Sequence, residues 1–182
     1  LRFNERIRIG REEASDQDII AAFQAIEVAR GNLSLTYFEF ATLAALLVFR
    51  QKQVDYVILE VGLGGRLDSA NIVDADVAVI TSIDLDHQEW LGNTRGVIAI
   101  EKAGIMRSGK PVVIAERDPP AELLQVAAEV GASQVYRLGV DFDFSGTAQR
   151  WRGTLRSAKG EQALGQLSSA SLLPSNVSAA AQ

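Results

Sequence analysis

The sequence predicts an α/β fold built on a mostly parallel, doubly wound sheet, followed from about residue 140 by a small antiparallel β portion. Three observations predict it. Short continuous apolar runs rich in β-forming residues occur at Tyr56–Val61, Val77–Ile83 and Pro111–Ala115, a composition suited to strands buried on both faces. Helical spacing of apolar residues fills the intervals after the second and third runs, and alternation of this kind implies parallel pairing. Beyond Val140 the character changes: Phe142, Phe144, Trp151 and Leu155 sit among Gly, Ser, Arg and Thr, as in an antiparallel meander.

The elements follow in order. Leu1–Gly10 reads as extended or loop-like. Ser15 with Asp18 starts a helix carrying Ile19, Phe23 and Ile26, and Gly31 stops it. Thr36-Tyr37-Phe38-Glu39 has the T-x-x-E form of a capping box, and Phe40, Leu43, Ala44 and Leu47 continue a helical face to about Gln51–Gln53. A helix is expected over Arg95–Met106, closed by Gly109. Another is expected to be capped by Asp118, with Pro119 at its first position, and to stop at Gly131. Gln134–Leu138 reads as a further strand, and Asn176–Gln182 as the first turn of a helix.

Bulk properties narrow the function. With 182 residues, 47% hydrophobic and 23% charged, the chain fits one ordinary domain that folds without a disulfide or metal staple. A net charge of -5 with scattered basic residues argues against a nucleic-acid groove. No cysteine is present, which excludes disulfides and thiolate metal sites. No apolar run reaches the roughly 18 residues that a membrane helix needs, and no charged-then-apolar leader opens the chain. A cytoplasmic protein is the default expectation. The chain opens on Leu1 and stops at Gln182 inside an expected helix, so both ends read as cuts in a longer enzyme.

Ligands of open α/β sheets bind at the carboxyl ends of the strands, and three polar clusters fall there. Glu60 to Asp68 follows the first apolar run, Asp84-Leu85-Asp86-His87 the second, and Glu101-Lys102-Ala103-Gly104 lies on the next helix. Glu60 ends an apolar run. It is either turned to solvent or paired with an arginine such as Arg66, or it is a hard oxygen ligand for Mg2+. His87, the only histidine, is a loop residue or a ligand, and imidazole is an unusual partner for Mg2+. The glycines at 62, 64 and 65 suggest a dinucleotide loop. However, Leu67 stands at the third glycine position, and Arg66–Asp76 is too short for the crossover helix that would hold a pyrophosphate. A glycine turn that brings backbone close to a ligand remains. Glu101-Lys102 alone reads as a solvated helix face.

Taken together, the segments Leu35–Phe40 (LTYFEF), Val57–Val73 (VILEVGLGGRLDSANIV), Thr81–His87 (TSIDLDH) and Glu101–Ile105 (EKAGI) resemble the central domain of the dihydrofolate synthase/folylpolyglutamate synthase family. That family lies in the Mur-ligase superfamily, whose central domain is P-loop NTPase-like. The match runs over roughly Phe3–Pro120, with a weaker match to Asn176. The resemblance implies that Glu60 and His87 are magnesium ligands, and that Lys102 takes up CO2 to become a carbamate serving a second Mg2+. It implies pterin-substrate contacts from Thr36, Tyr37, Phe38 and Glu39 and from Leu67, Asp68 and Ser69, and an ATP contact from Asn176. The implied reaction activates a carboxylate of dihydropteroate or folate with ATP and joins it to L-glutamate. The implied partners are these small molecules, with neither nucleic acid nor membrane, acting on a monomer.

Two departures follow. The family's phosphate loop, G-x-x-x-x-G-K-[ST], is expected before Leu1 and does not occur in the 182 residues. The C-terminal glutamate-binding domain is also missing. Residues 1–182 are thus expected to be a partial central ATPase domain that does not turn over ATP alone. Two other readings stay open: a Mur-type ligase for a different acid, such as a peptidoglycan precursor, and a non-catalytic pterin- or folate-binding module.

Overall fold

The computed structural model describes residues 2–147, 150–157, 160–167 and 173–182. Two compact units make it up: Leu1–Leu63 with Asp68–Ile72, and Gly64–Leu67 with Val73–Gln182.

The first unit opens with a 3-10 turn at Phe3–Arg6 and a short antiparallel hairpin, β1 (Arg8–Ile9) and β2 (Glu12–Glu13). Within the stretch read as extended or loop-like, residues 2–10 thus hold a turn and a short strand. Helix α1 (Asp16–Arg30) begins where Ser15 Oγ accepts the Asp18 N–H at 3.1 Å, and ends at Gly31. Helix α2 (Tyr37–Lys52) carries the full capping box: Thr36 Oγ1 accepts from Glu39 N, and Glu39 Oε2 accepts from Thr36 N at 2.7 Å. Between the helices, Ile19, Ala22 and Ile26 of α1 pack with Ala44 and Val48 of α2, and with Ile7 and Ala14. Phe23 stands edge-on to both Phe3 and Phe40, at 5.0 and 5.1 Å between centroids. This core is local in sequence and is built by two helices whose starts the sequence states.

The expectation of a buried strand at Tyr56–Val61 is corrected. The segment has no ladder partner among the described residues, and Tyr56 and Ile58 are 90% and 92% exposed. Composition identified a segment suited to a strand, but a strand exists only where a neighbour supplies the hydrogen bonds and the cover.

In the second unit, β3 (Ala78–Ile80), β4 (Val112–Ile114) and β5 (Val135–Arg137) form a parallel sheet in that order. Ladder-type bonds continue past these bounds, from Ala78 N to Pro111 O and from Ala115 N to Ile80 O. Side chains alternate between the faces. Ala78, Ile80, Val112 and Ile114 meet α4 (Arg95–Ala103) and α5 (Ala121–Val130) through Ile98, Ala99, Ala103, Leu123 and Ala127. Val113 and Tyr136 face the other way, towards Leu138, Phe142, Leu155 and Ala179. That second layer is the antiparallel meander β6 (Phe142–Thr147), β7 (Arg150–Ser157) and β8 (Gly160–Leu167), together with helix α6 (Pro174–Ala181). A one-turn helix, α3 (Gln88–Leu91), precedes α4. The architecture is the expected α/β fold with an antiparallel portion after residue 140.

Two helix bounds differ from expectation. Helix α5 starts at Ala121 with Pro120 at its cap position and no side-chain cap. Asp118 and Pro119 each precede a proline, which disfavours helical dihedrals at both. Helix α4 ends at Ala103 because the Glu101 carbonyl accepts the Arg66 N–H at 2.8 Å, while the Ile105 N–H turns to Lys102 O.

Candidate functional site

In the first unit the cap of α2 meets the loop after Glu60. Phe38 lies across Gly62: a Cβ there would stand 2.9 Å from Phe38 Cζ. The Asp68 carboxylate accepts from the amides of Gly62 (3.0 Å), Leu63 (3.2 Å) and Ala70 (2.8 Å). Ser69 Oγ pairs with Thr42 Oγ1 at 2.8 Å. Three of the anticipated pterin-contact residues, Phe38, Asp68 and Ser69, therefore come together, along with Thr36 and Glu39 in the cap. Asp68, Thr36 and Glu39 also hold the backbone, so each has a structural task whatever else it does. Hydrogen bonds from the Thr36 amide and hydroxyl keep the Glu39 carboxyl below the ordinary carboxylate range. Tyr37 is 62% exposed, over the side of α2 that also meets Phe3. Glu60 is exposed and has no hydrogen-bond or ion-pair partner among the described residues.

In the second unit, Gly64–Leu67 docks on the end of α4. A Cβ on Gly65 would meet the carbonyls of Glu101 and Lys102 at 2.9 Å, and one on Gly104 would meet Arg66 Cα at 2.5 Å. The Glu101 carboxylate is held by Arg66, Nη2 to Oε1 at 2.9 Å. Arg66 thus pairs with Glu101 and not with Glu60, and Glu101 is not a solvated side chain. The glycines are explained by backbone approach to a helix end. Lys102 is half-buried beside this contact, and its ammonium has no partner among the described residues. Leu67 is 80% exposed.

His87 caps α3 with φ 48° and ψ 42°. Left-handed backbone at a non-glycine residue is uncommon and points to a constraint. Its carbonyl accepts from Trp90 and Leu91 N–H, its own N–H donates to Asp86 Oδ1 at 2.8 Å, and Nε2 lies 3.6 Å from Asp86 Oδ2. The turn is anchored at its base: Ile83 N–H donates to Glu116 Oε2 at 3.0 Å, and Arg95 Nε donates to Ile83 O at 2.9 Å. Sequence reasoning missed Arg95 and Glu116. A signal existed for Glu116, which stands at the carboxyl end of a buried strand, but its pairing with a residue 21 positions earlier is tertiary. Asn176 is exposed near the start of α6, with Oδ1 3.5 Å from Ser175 Oγ, and among the described residues it bonds to none of the other candidates.

The donor chemistry suits a hard divalent cation at its carboxylate oxygens and less so at its imidazole. Glu60 offers free carboxylate oxygens and His87 an imidazole, while Lys102 becomes an oxygen donor only as a carbamate. Among the described residues, no three His, Asp or Glu side chains form a ready metal-holding group. The same residues contain no helix long and apolar enough to cross a membrane.

The chain is similar to known proteins in both sequence and fold. Residues 16–170 match the family model for the Mur ligase middle domain. The dihydrofolate synthase/folylpolyglutamate synthase of Escherichia coli K12 is 53% identical over 151 residues, covering 83% of this chain and 36% of the relative. That of Haemophilus influenzae is 51% identical over 152 residues, covering 84% and 34%. The chain thus spans about a third of the length of these relatives. Among solved structures, E. coli FolC in complex with DHPP and ADP superposes with a TM-score of 0.90 at 48% identity, covering all of this chain and 42% of that one. The Yersinia pestis bifunctional folylpolyglutamate synthase/dihydrofolate synthase complexed with AMPPNP and Mn ion gives 0.88 at 49%, covering all of this chain and 43% of that one.

Proposed function

Because the chain belongs to the Mur ligase middle-domain family, we propose that the protein carrying it is an ATP- and Mg2+-dependent ligase that adds L-glutamate to dihydropteroate and to folates. Residues 1–182 form part of its central ATPase domain. The observation that carries this reading is the meeting of Phe38 and Asp68 at Gly62, with Ser69 beside them on Thr42, in a chain similar over its whole length to FolC in complex with DHPP and ADP.

The reaction is acyl activation. A substrate carboxylate oxygen takes the γ-phosphoryl group of ATP, releasing ADP. The amine of L-glutamate then attacks the acyl carbon, phosphate leaves, and an amide and a proton remain. Bound Mg2+ supplies charge compensation on the transferring phosphoryl group. Glu60, His87 and Lys102 are the residues assigned to hold it. The Lys102 ammonium gives up one proton, and the resulting amine adds CO2 and gives up a second, exchanging a cation for an oxygen-rich anion that would suit a second Mg2+. Thr36, Tyr37, Phe38 and Glu39, with Leu67, Asp68 and Ser69, orient the pterin end, and Asn176 contacts ATP. Asp68 fixes the loop so that its amides and the Phe38 ring keep their places. The protein acts in the cytoplasm as a monomer.

The test uses the protein expressed from its complete reading frame. Radiolabelled glutamate should enter product only with ATP, Mg2+ and dihydropteroate or a folate. Incorporation with a peptidoglycan-precursor acid in their place, or pterin binding with no ATP-dependent product, would replace this reading.

A further inference from the structure

His87 and Lys102 lie in the same unit, and one ion pair ties their two elements together. Ile83, 2% exposed, stands at the base of the Asp84–His87 turn. Both of its backbone polar groups are gripped: the N–H by Glu116 Oε2 at 3.0 Å and the carbonyl by Arg95 Nε at 2.9 Å. Glu116 follows β4 after a single residue, and its Oε1 accepts the Asp118 N–H at 3.1 Å. Arg95 Nη2 donates to Asp118 O at 2.8 Å and lies 3.6 Å from Glu116 Oε2. The Glu116 side chain is 17% exposed and that of Arg95 37%, so these are charge-assisted bonds, partly shielded from water at Ile83. Arg95 opens α4, and Lys102 follows two turns later on the same face, roughly 10 Å along the axis.

Between Ile83 and His87 the chain is stiffened by its own carboxylates, with Leu85 N–H on Asp84 Oδ1 and His87 N–H on Asp86 Oδ1, both at 2.8 Å. The far end is fixed by Leu91, 9% exposed in the core that α4 shares. A turn held at both ends and braced within transmits any movement of its base.

We infer that Arg95 and Glu116 are positioning residues for the metal-binding side chains, setting the His87 turn against the helix that carries Lys102. The inference rests on the metal assignment proposed above. Each acts through Ile83. A purely structural pair would change stability and leave cation affinity alone.

The test is Mn2+ titration, followed by electron paramagnetic resonance, of the complete protein and of its Arg95→Lys and Glu116→Gln variants. Lysine keeps the charge but cannot serve the Ile83 and Asp118 carbonyls together. Glutamine keeps the shape and loses one acceptor. Each should weaken Mn2+ binding about tenfold, the lower end for residues that orient metal ligands, with the KM for the folate substrate within twofold of wild type. Folded variants that bind Mn2+ within twofold of wild type overturn the inference. Should both variants fail to fold, amide exchange in the wild-type protein decides: an Ile83 amide that exchanges as fast as those of Asp84 and Leu85 also overturns it. A wild-type protein that binds no Mn2+ removes the metal assignment itself, which is a different failure.

Discussion

Replacing Gly104 with alanine sets two effects of opposite sign against each other. The backbone there has φ -60° and ψ -7°, which alanine adopts without strain. Backbone entropy alone would therefore stabilise the variant by about 0.4–1 kcal/mol. The surroundings say otherwise. The new methyl would stand 2.5 Å from Arg66 Cα and closer still to Arg66 Cβ, so helix end and loop must part. Overpacking of this kind costs about 1–3 kcal/mol. Separation also weakens the bond from Arg66 N–H to Glu101 O, 2.8 Å long, worth about 1 kcal/mol. The net is a destabilisation of about 1–3.5 kcal/mol, and steric contact decides the sign. Urea unfolding gives the magnitude, and amide hydrogen exchange gives the place, because Arg66 should lose protection first. Gly109→Ala is the control: φ is +71° with nothing within 4 Å of the added methyl, so only backbone strain of about 1–2 kcal/mol applies and Arg66 stays protected. A Gly104→Ala protein as stable as wild type, with a protected Arg66 amide, would refute the packing argument.

Other outcomes follow from the same structure. Thr36→Ala removes the cap of α2 and should lose about 1 kcal/mol, whereas Thr36→Ser should keep most of it; thermal unfolding compares them. The depressed Glu39 carboxyl contributes stability that is present above the ordinary carboxylate range and disappears as pH falls through its lowered pKa. Glu39→Gln should therefore flatten the acid limb of a stability-versus-pH curve, and an unchanged limb would contradict the assignment. Asp68→Asn leaves one carbonyl oxygen where a carboxylate serves three amides, so about 1.5–3 kcal/mol of local order should go, together with affinity for the pterin substrate in calorimetry. Glu60→Gln and Lys102→Ala should each weaken Mg2+-dependent product formation at least tenfold, with folding by circular dichroism unchanged.

Legibility in the sequence followed the range of the interaction. The Thr36–Glu39 box and the Ser15 start were readable because donor and acceptor are three residues apart. The meander after Val140 was readable because Phe142, Trp151 and Leu155 announce alternate burial. Asp118 was misread as a cap because consecutive prolines postpone the helix, a local rule that outranked the cap preference. The partner of Arg66 was not readable, since Glu60 and Glu101 are equally acidic and only the docking of Gly65 on the helix carbonyls separates them. As the spacing argued, Arg66–Asp76 holds a 3-10 turn at Ser69–Ile72 and no crossover helix, but what the glycines serve is tertiary: Gly62 lies against Phe38 and Gly65 against the carbonyls of α4. The candidate site residues could be named only through the resemblance of four linked motifs to a family; the bonds around them, Asp68 to three amides and Arg95 to Ile83, could not be read from the sequence.

The bare stretch at Tyr56–Val61 has a consequence at the bench. Uncharged, β-prone and without a ladder partner among the described residues, Tyr56-Val57-Ile58-Leu59 is a short sticky strip between two acidic gatekeepers, Asp55 and Glu60. Unsatisfied strand-forming backbone of this kind seeks another chain's edge. Preparations of the isolated 182 residues should therefore self-associate as concentration rises. A single charge in the strip, Ile58→Lys, should raise their solubility, measured by light scattering, while the same charge in the complete protein should damage folding if that strip is covered there. One position thus becomes both a formulation handle and a gauge of what the rest of the protein lays over it.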